Sequence, residues 1–318
     1  MSSNHSSGDL LADRRYAYAE ACLSEGDAGG AAEMAEQALE LAPRFAPAWF
    51  LLGRAREARH RTTGDAADHH AALRAYANAL DLDPDDGIGA RLHLAQLGVG
   101  DALGAISPGY VRALFDGYAV RFERHLVDDL HYRGPSMLRE AIDALPDAPA
   151  RFGDALDLGC GTGLMGAALA GRVDRLTGID LSPAMLAQAE RTGRYVSLVE
   201  GDLTTFLDGA PALSFDLVVA ADVFIYLGHL DRALAGIGRA LRRGGLAAFT
   251  VQSHDGDGAV LGPDARYAHG DAHIRAAASA SGLDVESLTP AAIRRERGAD
   301  VPGRIAVLRQ PGTGATPD

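Results

Sequence analysis

The chain has 318 residues and a formal net charge of −13, and 47% of its residues are hydrophobic. That length exceeds one ordinary domain and the apolar share suffices for two cores, while the acidic balance, with no long basic run, argues against nucleic acid as a main partner. Two cysteines, Cys22 and Cys160, leave no disulfide framework and fit a reducing cytoplasm, no run of 18 apolar residues suggests a membrane span, and the opening MSSNHSSGD lacks the features of a signal peptide.

Residues 1–8 and 311–318 are polar and read as disordered. Residues 9–100 read as helical and repetitive. AAEMAEQALELAP (31–43) matches HAALRAYANALDLDP (70–84) in its spacing of small residues, leucines and a closing proline. This resembles tetratricopeptide repeats, whose period is 34 residues. Pro43 and Pro84 are 41 apart, and the polar stretch His60–Asp68 is expected to absorb the difference as a longer inter-helix loop. PAWFLLG (47–53) and 89–97 supply further first helices, giving about two and a half repeats. A generic alanine-rich bundle is the plainer alternative.

LGVGDALGAISPG places a linker at 101–109. Leu114, Phe115, Tyr118, Phe122 and Leu126 then fall on helical spacing, and Pro135 opens another helix. From here β and α elements alternate, which predicts an α/β fold with a parallel sheet. The spacing predicts strands at 155–158, 175–179, 196–200, 215–220 and 246–251, with helices at 164–170, 183–191 and 231–241, and an antiparallel pair at 283–288 and 304–309.

The chemistry concentrates at ALDLGCGTG (155–163). An apolar strand reaches Asp157, a turn of Gly159, Gly161 and Gly163 follows, and a helix begins. Such a loop lets backbone approach a ligand closely and presents a helix amino end to it. The spacing is GxGxG, without the extra residue of dinucleotide sites. No Lys-Ser/Thr pair follows, which argues against a P-loop and ATP hydrolysis. Asp180, 17 positions after Gly163, ends the second strand, where a carboxylate can accept ribose hydroxyls. No His, Asp or Glu cluster has metal-ligand spacing, so no metal is expected.

DLGCGTG resembles the first motif of class I S-adenosylmethionine (SAM) methyltransferases. TGID with LSPAMLAQAE, VEGDL, SFDLVVAADVF and LRRGGLAAFTV are similar to its later motifs and arrive in order, so the resemblance covers roughly 110–310. It implies a Rossmann-like seven-stranded domain, the last strand inserted antiparallel, and SAM as cofactor. It implies that Asp180 holds the ribose, Leu181 covers the adenine, and Asp202 with the Leu203 backbone reads the adenine edge. Asp157 would orient the loop or meet the ligand's amino group, with Gly159, Cys160, Gly161 and Gly163 as the cradle. Cys160 reads as a small filler there, since no base or electropositive setting marks it as a nucleophile. Asp222 would face the methyl. Asp222-Val223-Phe224-Ile225 departs from the Asn/Asp-Pro-Pro-aromatic run of enzymes that methylate adenine, cytosine or glutamine nitrogens.

The segment 115–126 resembles the pre-core helix of the quinone-biosynthesis-like branch and of bacterial tetratricopeptide-methyltransferases. Tyr118, Arg121 and His125 share a helical face, and Tyr118 and Arg121 are candidates to close over the cofactor. Tyr267 and His269 in RYAHG, with His254 and Tyr226, are candidates to orient a nucleophile or take its proton. A loop carrying Arg266, Tyr267 and His269 is expected to meet Tyr118, Arg121 and His125 as a lid. The function read from this pattern is a cytoplasmic methyltransferase acting on an O or N acceptor, with a small metabolite as substrate. Its rivals are a protein or peptide methyltransferase using the repeats for capture, and a non-catalytic adaptor built on the same fold. A Rossmann oxidoreductase is disfavoured by the glycine spacing and the antiparallel ending.

Overall fold

The computed structural model describes residues 6–118, 132–296 and 298–312, and the chain forms two compact units, Met1–Ala113 and Leu114–Asp318. The first unit is all helical: α1 (Leu10–Ser24), α2 (Ala28–Leu41), α3 (Ala46–Thr63), α4 (Ala66–Leu82), α5 (Ala90–Gln96) and the start of α6 (Pro108–Tyr118). Carboxylates open three of these helices. Asp9 accepts the Leu11 and Ala12 N–H groups, Asp27 that of Gly30 and Asp65 that of Ala67, so each satisfies donors that a first turn leaves unpaired. Ser7, inside the start read as disordered, donates from backbone and hydroxyl to Asp13 at 2.7 and 2.6 Å.

Small side chains set the helix contacts. Ala31, Ala35, Ala38, Ala48 and Ala55 are wholly buried, which lets backbones approach closely. The polar stretch 60–68 is not a long loop. α3 runs on to Thr63, Gly64 turns the chain at φ +73°, and Asp65 caps α4 at once. The extra residues therefore lengthen helices. Their charges are used in packing, since buried Asp68 pairs with Arg56 at 2.9 Å and Arg59 at 3.1 Å. Deeper in, Glu57 accepts Tyr76 Oη at 2.6 Å and lies 2.9 Å from His93 Nδ1. Burial opposes that charge, but these bonds outweigh it and hold Glu57 down at about 2. Within 101–109, Ala105, Ile106 and Ser107 are buried, and Ser107 Oγ donates to the Asp86 carbonyl at 3.1 Å.

The second unit is a Rossmann-like α/β sheet. Its elements are α7 (Gly134–Asp143), β1 (Phe152–Leu158), α8 (Leu164–Ala168), β2 (Val173–Asp180), α9 (Pro183–Arg191), β3 (Ser197–Glu200), α10 (Leu203–Gly209), β4 (Phe215–Ala220), α11 (Asp231–Ala240), β5 (Leu241–Ser253), β6 (Ala259–Leu261), β7 (Tyr267–His269), α12 (Asp271–Ala280), β8 (Asp284–Glu296) and β9 (Ala299–Arg309). The order β3-β2-β1-β4-β5 is parallel, and β9 then pairs antiparallel with both β5 and β8. Alternate residues feed two cores. Leu217 and Val219 enter one with Leu138 and Met165, and Val218 and Ala220 enter the other with Leu234 and Ile274. Both faces are covered, so the central strands read as continuous apolar runs.

Two features depart from the expected seven-stranded pattern. The segment Tyr267–His269 is a strand that joins the end of β5 and pairs with β6. The β8–β9 hairpin also runs well past 283–288 and 304–309, pairing as far as Glu296 with Ala299.

The helical unit offers a direct packing test. A Cβ at Gly53 would lie 2.6 Å from two Tyr76 ring atoms. Alanine favours helix by about 1 kcal/mol over glycine, yet Gly53→Ala is expected to destabilise this unit by about 1–3 kcal/mol through overpacking. Trp49, the chain's one tryptophan, lies in α3 and reports urea unfolding of this unit by fluorescence; a gain in stability would contradict the packing described.

Candidate functional site

The carboxyl ends of β1, β2 and β4 converge on the glycine loop. Gly159, Gly161 and Gly163 all have positive φ, at +64°, +52° and +97°, a region that side chains with Cβ avoid. A Cβ at Gly159 would also strike Val223 Cγ2 at 2.5 Å, so the loop lies hard against the segment after β4. Cys160 N–H donates to the Ile179 carbonyl at 2.9 Å. Asp180 locks the arrangement, one oxygen accepting Gly161 N–H and the other Ser182 N–H, both at 2.9 Å. Ser182 Oγ donates to Asp116 on α6 at 2.5 Å. Burial raises the Asp180 pKa, and the nearby Asp116 adds to this against the backbone donors.

Asp157 is 1% exposed. Tyr195 Oη donates to its Oδ2 at 2.7 Å, and the same hydroxyl accepts Gly166 N–H at 3.2 Å. Asp157 Oδ1 is buried and, among the described residues, has no hydrogen-bond partner. Burial, with the charge of Asp180, pushes Asp157 up to about 7 despite the Tyr195 bond. Burial also raises the Cys160 thiol, with Asp157 and Asp180 adding to it, so Cys160 sits beside the loop as a protonated, buried group.

Asp202 caps α10, its Oδ1 accepting Thr205 N–H at 2.9 Å. It is half-buried, as are Leu181 and Leu203. Asp222 follows β4 at φ +60°, a strained position for a residue with Cβ. Its N–H donates to Thr250 Oγ1 at 2.8 Å, and its Oδ1 accepts Arg294 Nη1 at 2.6 Å. The Arg294 side chain, 2% exposed, also donates to Glu296 and Gln252, each at 2.9 Å. Glu296 pairs in turn with Arg266, which hydrogen-bonds Tyr226. The β8–β9 hairpin delivers Arg294 here, and no motif in the sequence marks it.

The expected acceptor-side residues take other places. Tyr267 and His269 are fully buried on β7, not on an open loop, because that segment is drawn into the sheet edge. His269 Nε2 lies 3.3 Å from the Phe224 carbonyl, and its ring stacks on His273 at 5.4 Å. Burial lowers it to about 4, so it is neutral near pH 7 and a weak base. His254 closes its own turn, accepting Gly256 N–H at 3.0 Å on Nδ1, with Nε2 2.8 Å from the Gly258 carbonyl. Arg121, His125 and the Tyr118 side chain lie outside the described residues, as does the lid they were expected to form. Among the described residues, no group of three or more His, Cys, Asp or Glu side chains is arranged to hold a metal ion. Among them too, no helix is long and apolar enough to cross a membrane.

Residues 156–249 match the family described as "Methyltransferase domain". Over this span the chain is similar to class I SAM-dependent methyltransferases. It is 33% identical over 103 residues to a malonyl-[acyl-carrier protein] O-methyltransferase of Paenibacillus sp. (strain JDR-2), covering 30% of this chain and 37% of that protein. It is 39% identical over 103 residues to the aklanonic acid methyltransferase DauC of Streptomyces sp. (strain C5), covering 30% and 46%. The chain thus spans less than half the length of these two curated relatives. Among solved structures, the 1,6-didemethyltoxoflavin-N1-methyltransferase of Burkholderia thailandensis aligns with TM-score 0.49 and 19% identity, over 63% of this chain and 87% of that one.

The cofactor of this methyltransferase class is SAM, and the donor loop fits it. An orphaned carboxylate oxygen beside the glycines suits an ammonium group, and each Asp180 oxygen retains a lone pair for a ribose hydroxyl. At the end of β4, Arg294→Met would strand the buried Asp222, while Glu296 keeps Arg266, and is expected to cost about 3–5 kcal/mol in urea unfolding followed by circular dichroism. Arg294→Lys should recover less than half of that, since one ammonium does not reproduce a fork with three partners. A loss under about 1 kcal/mol would contradict the network's structural role.

Proposed function

We propose that this protein is a cytoplasmic enzyme that transfers a methyl group from SAM to an oxygen or nitrogen atom of a small metabolite. The observation that carries the reading is the enclosed, unpartnered Oδ1 of Asp157 beside a glycine loop locked by Asp180. When bound, SAM supplies a methyl group activated by its positively charged sulfur.

The chain's own residues then bind and align. Asp157 takes the amino group, Asp180 the ribose hydroxyls, and Gly159, Cys160, Gly161 and Gly163 give close backbone contact. Leu181 covers the adenine while Asp202 and the Leu203 backbone read its edge. Asp222, held by Arg294, walls the methyl end, where the acceptor must meet the methyl in line with water excluded. One relative is named for O-methylation of a malonyl group and another for methylation of aklanonic acid, which favours an oxygen acceptor. The neutral, buried His269 fits a packing role better than that of a proton acceptor.

The helical unit is read as tetratricopeptide-like, from its successive helix pairs and their small buried residues. A second reading is that it captures a protein or peptide acceptor. The exposed Leu10, Leu11 and Tyr18 on α1 favour this.

Calorimetry tests the cofactor assignment. S-adenosylhomocysteine is expected to bind in the micromolar range, about −8 kcal/mol, and NAD not at all. Asp180→Ala should weaken binding by about 1–3 kcal/mol through unpaired ribose hydroxyls; unchanged affinity would remove Asp180 from the ribose role. Methyl transfer from labelled SAM into the small-molecule fraction of a lysate, rather than into protein, separates the two acceptor readings.

A further inference from the structure

The segment just before β3 carries an aromatic residue that no motif singles out. The Tyr195 ring lies where side chains on three glycines would stand. A Cβ would meet it at 3.3 Å from Gly163, and at 2.9 Å from both Gly166 and Gly178. These glycines belong to the donor loop, α8 and β2, so the ring is fixed from three sides. Its hydroxyl is spent in both directions, donating to Asp157 Oδ2 at 2.7 Å and accepting Gly166 N–H at 3.2 Å. Asp157 is thereby pinned with one oxygen filled and the other, Oδ1, enclosed and unpartnered.

We infer that Tyr195 is a positioning residue for the methyl donor: by occupying Oδ2 of Asp157 it presents Oδ1 to the amino group of SAM or S-adenosylhomocysteine. The inference rests on the cofactor reading above and extends it to a residue outside the family's motifs. The titratable groups facing Asp157 are Asp180 at the end of β2, the Cys160 thiol in the loop, Tyr195 itself, and Tyr132 ahead of α7. Asp180 and burial favour the protonated carboxyl, and the Tyr195 hydroxyl favours the carboxylate. An ammonium ligand needs the carboxylate. Its binding should therefore strengthen as pH rises through about 7, the value to which Asp157 is pushed, and loss of the hydroxyl should move that rise to higher pH.

The test is calorimetry on the full chain, from about pH 6 to about pH 9, with two ligands. S-adenosylhomocysteine carries the amino acid portion, and 5′-methylthioadenosine lacks it. Tyr195→Phe keeps the ring that fills the space between the glycines. It is expected to weaken S-adenosylhomocysteine about tenfold near pH 7, with the loss narrowing toward pH 9, while 5′-methylthioadenosine stays within about twofold. In an Asp157→Asn background the same change should cost S-adenosylhomocysteine almost nothing further. Equal weakening of both ligands, unchanged S-adenosylhomocysteine affinity across the range, or an undiminished loss in the Asp157→Asn background would each overturn the inference. If the unaltered protein binds S-adenosylhomocysteine and Tyr195→Phe matches it, the inference alone falls. If the unaltered protein does not bind it, the cofactor reading falls as well.

Discussion

An enclosed carboxylate with one oxygen bonded and the other open is the constraint on which the donor side of this domain turns. Asp157 is taken out of water, and a charge so placed is costly unless it is paired. The structure offsets part of that cost with Tyr195, and on the proposed reading a ligand's ammonium group would offset the rest. Asp180, itself partly buried, lies close enough to raise the Asp157 pKa, and Asp116 does the same to Asp180. Three acidic groups around one glycine loop make it a poor seat for a pyrophosphate and a good one for a ligand with an ammonium group and a ribose diol. A strand, a glycine turn and a helix are common to many nucleotide folds. On the proposed reading, the electrostatics around this turn would favour a sulfonium nucleoside over a dinucleotide.

The segment after β4 is built on a different principle. Arg294 and Arg266 meet Asp222 and Glu296 in a network whose charges largely cancel. Such a network gives shape and rigidity where the donor side gives a cost to be relieved by ligand. It also holds Asp222 in a left-handed backbone conformation at the end of β4, next to the valine that packs on Gly159. The long β8–β9 hairpin thus shapes the site from the far end of the chain.

Much of this was legible in the residues, for a physical reason. Strand, glycine turn and acidic strand end are local signals, and 155–163, 177–180 and 215–222 each announce one. The parallel core follows from alternating apolar segments of the right length. Arg294 and Tyr195 were not legible, since their roles arise from pairing between segments distant in sequence. Arg294 reaches Asp222 from 72 positions away, and Tyr195 reaches Asp157 from 38. Tyr267 and His269 looked like loop chemistry because a three-residue strand leaves almost no periodicity. The polar residues 60–68 looked like a loop because their charges are satisfied by helix packing, which composition alone does not reveal.

In the proposed reading, the unpartnered oxygen of Asp157 is the seat of the donor's amino group. A crystal structure of the full chain with S-adenosylhomocysteine tests it most directly. The ligand nitrogen is expected within about 3 Å of Asp157 Oδ1, with Tyr195 still on Oδ2 and both ribose hydroxyls on Asp180. A ligand bound in the glycine loop with its amino group elsewhere, and Asp157 Oδ1 still without a partner, would contradict it.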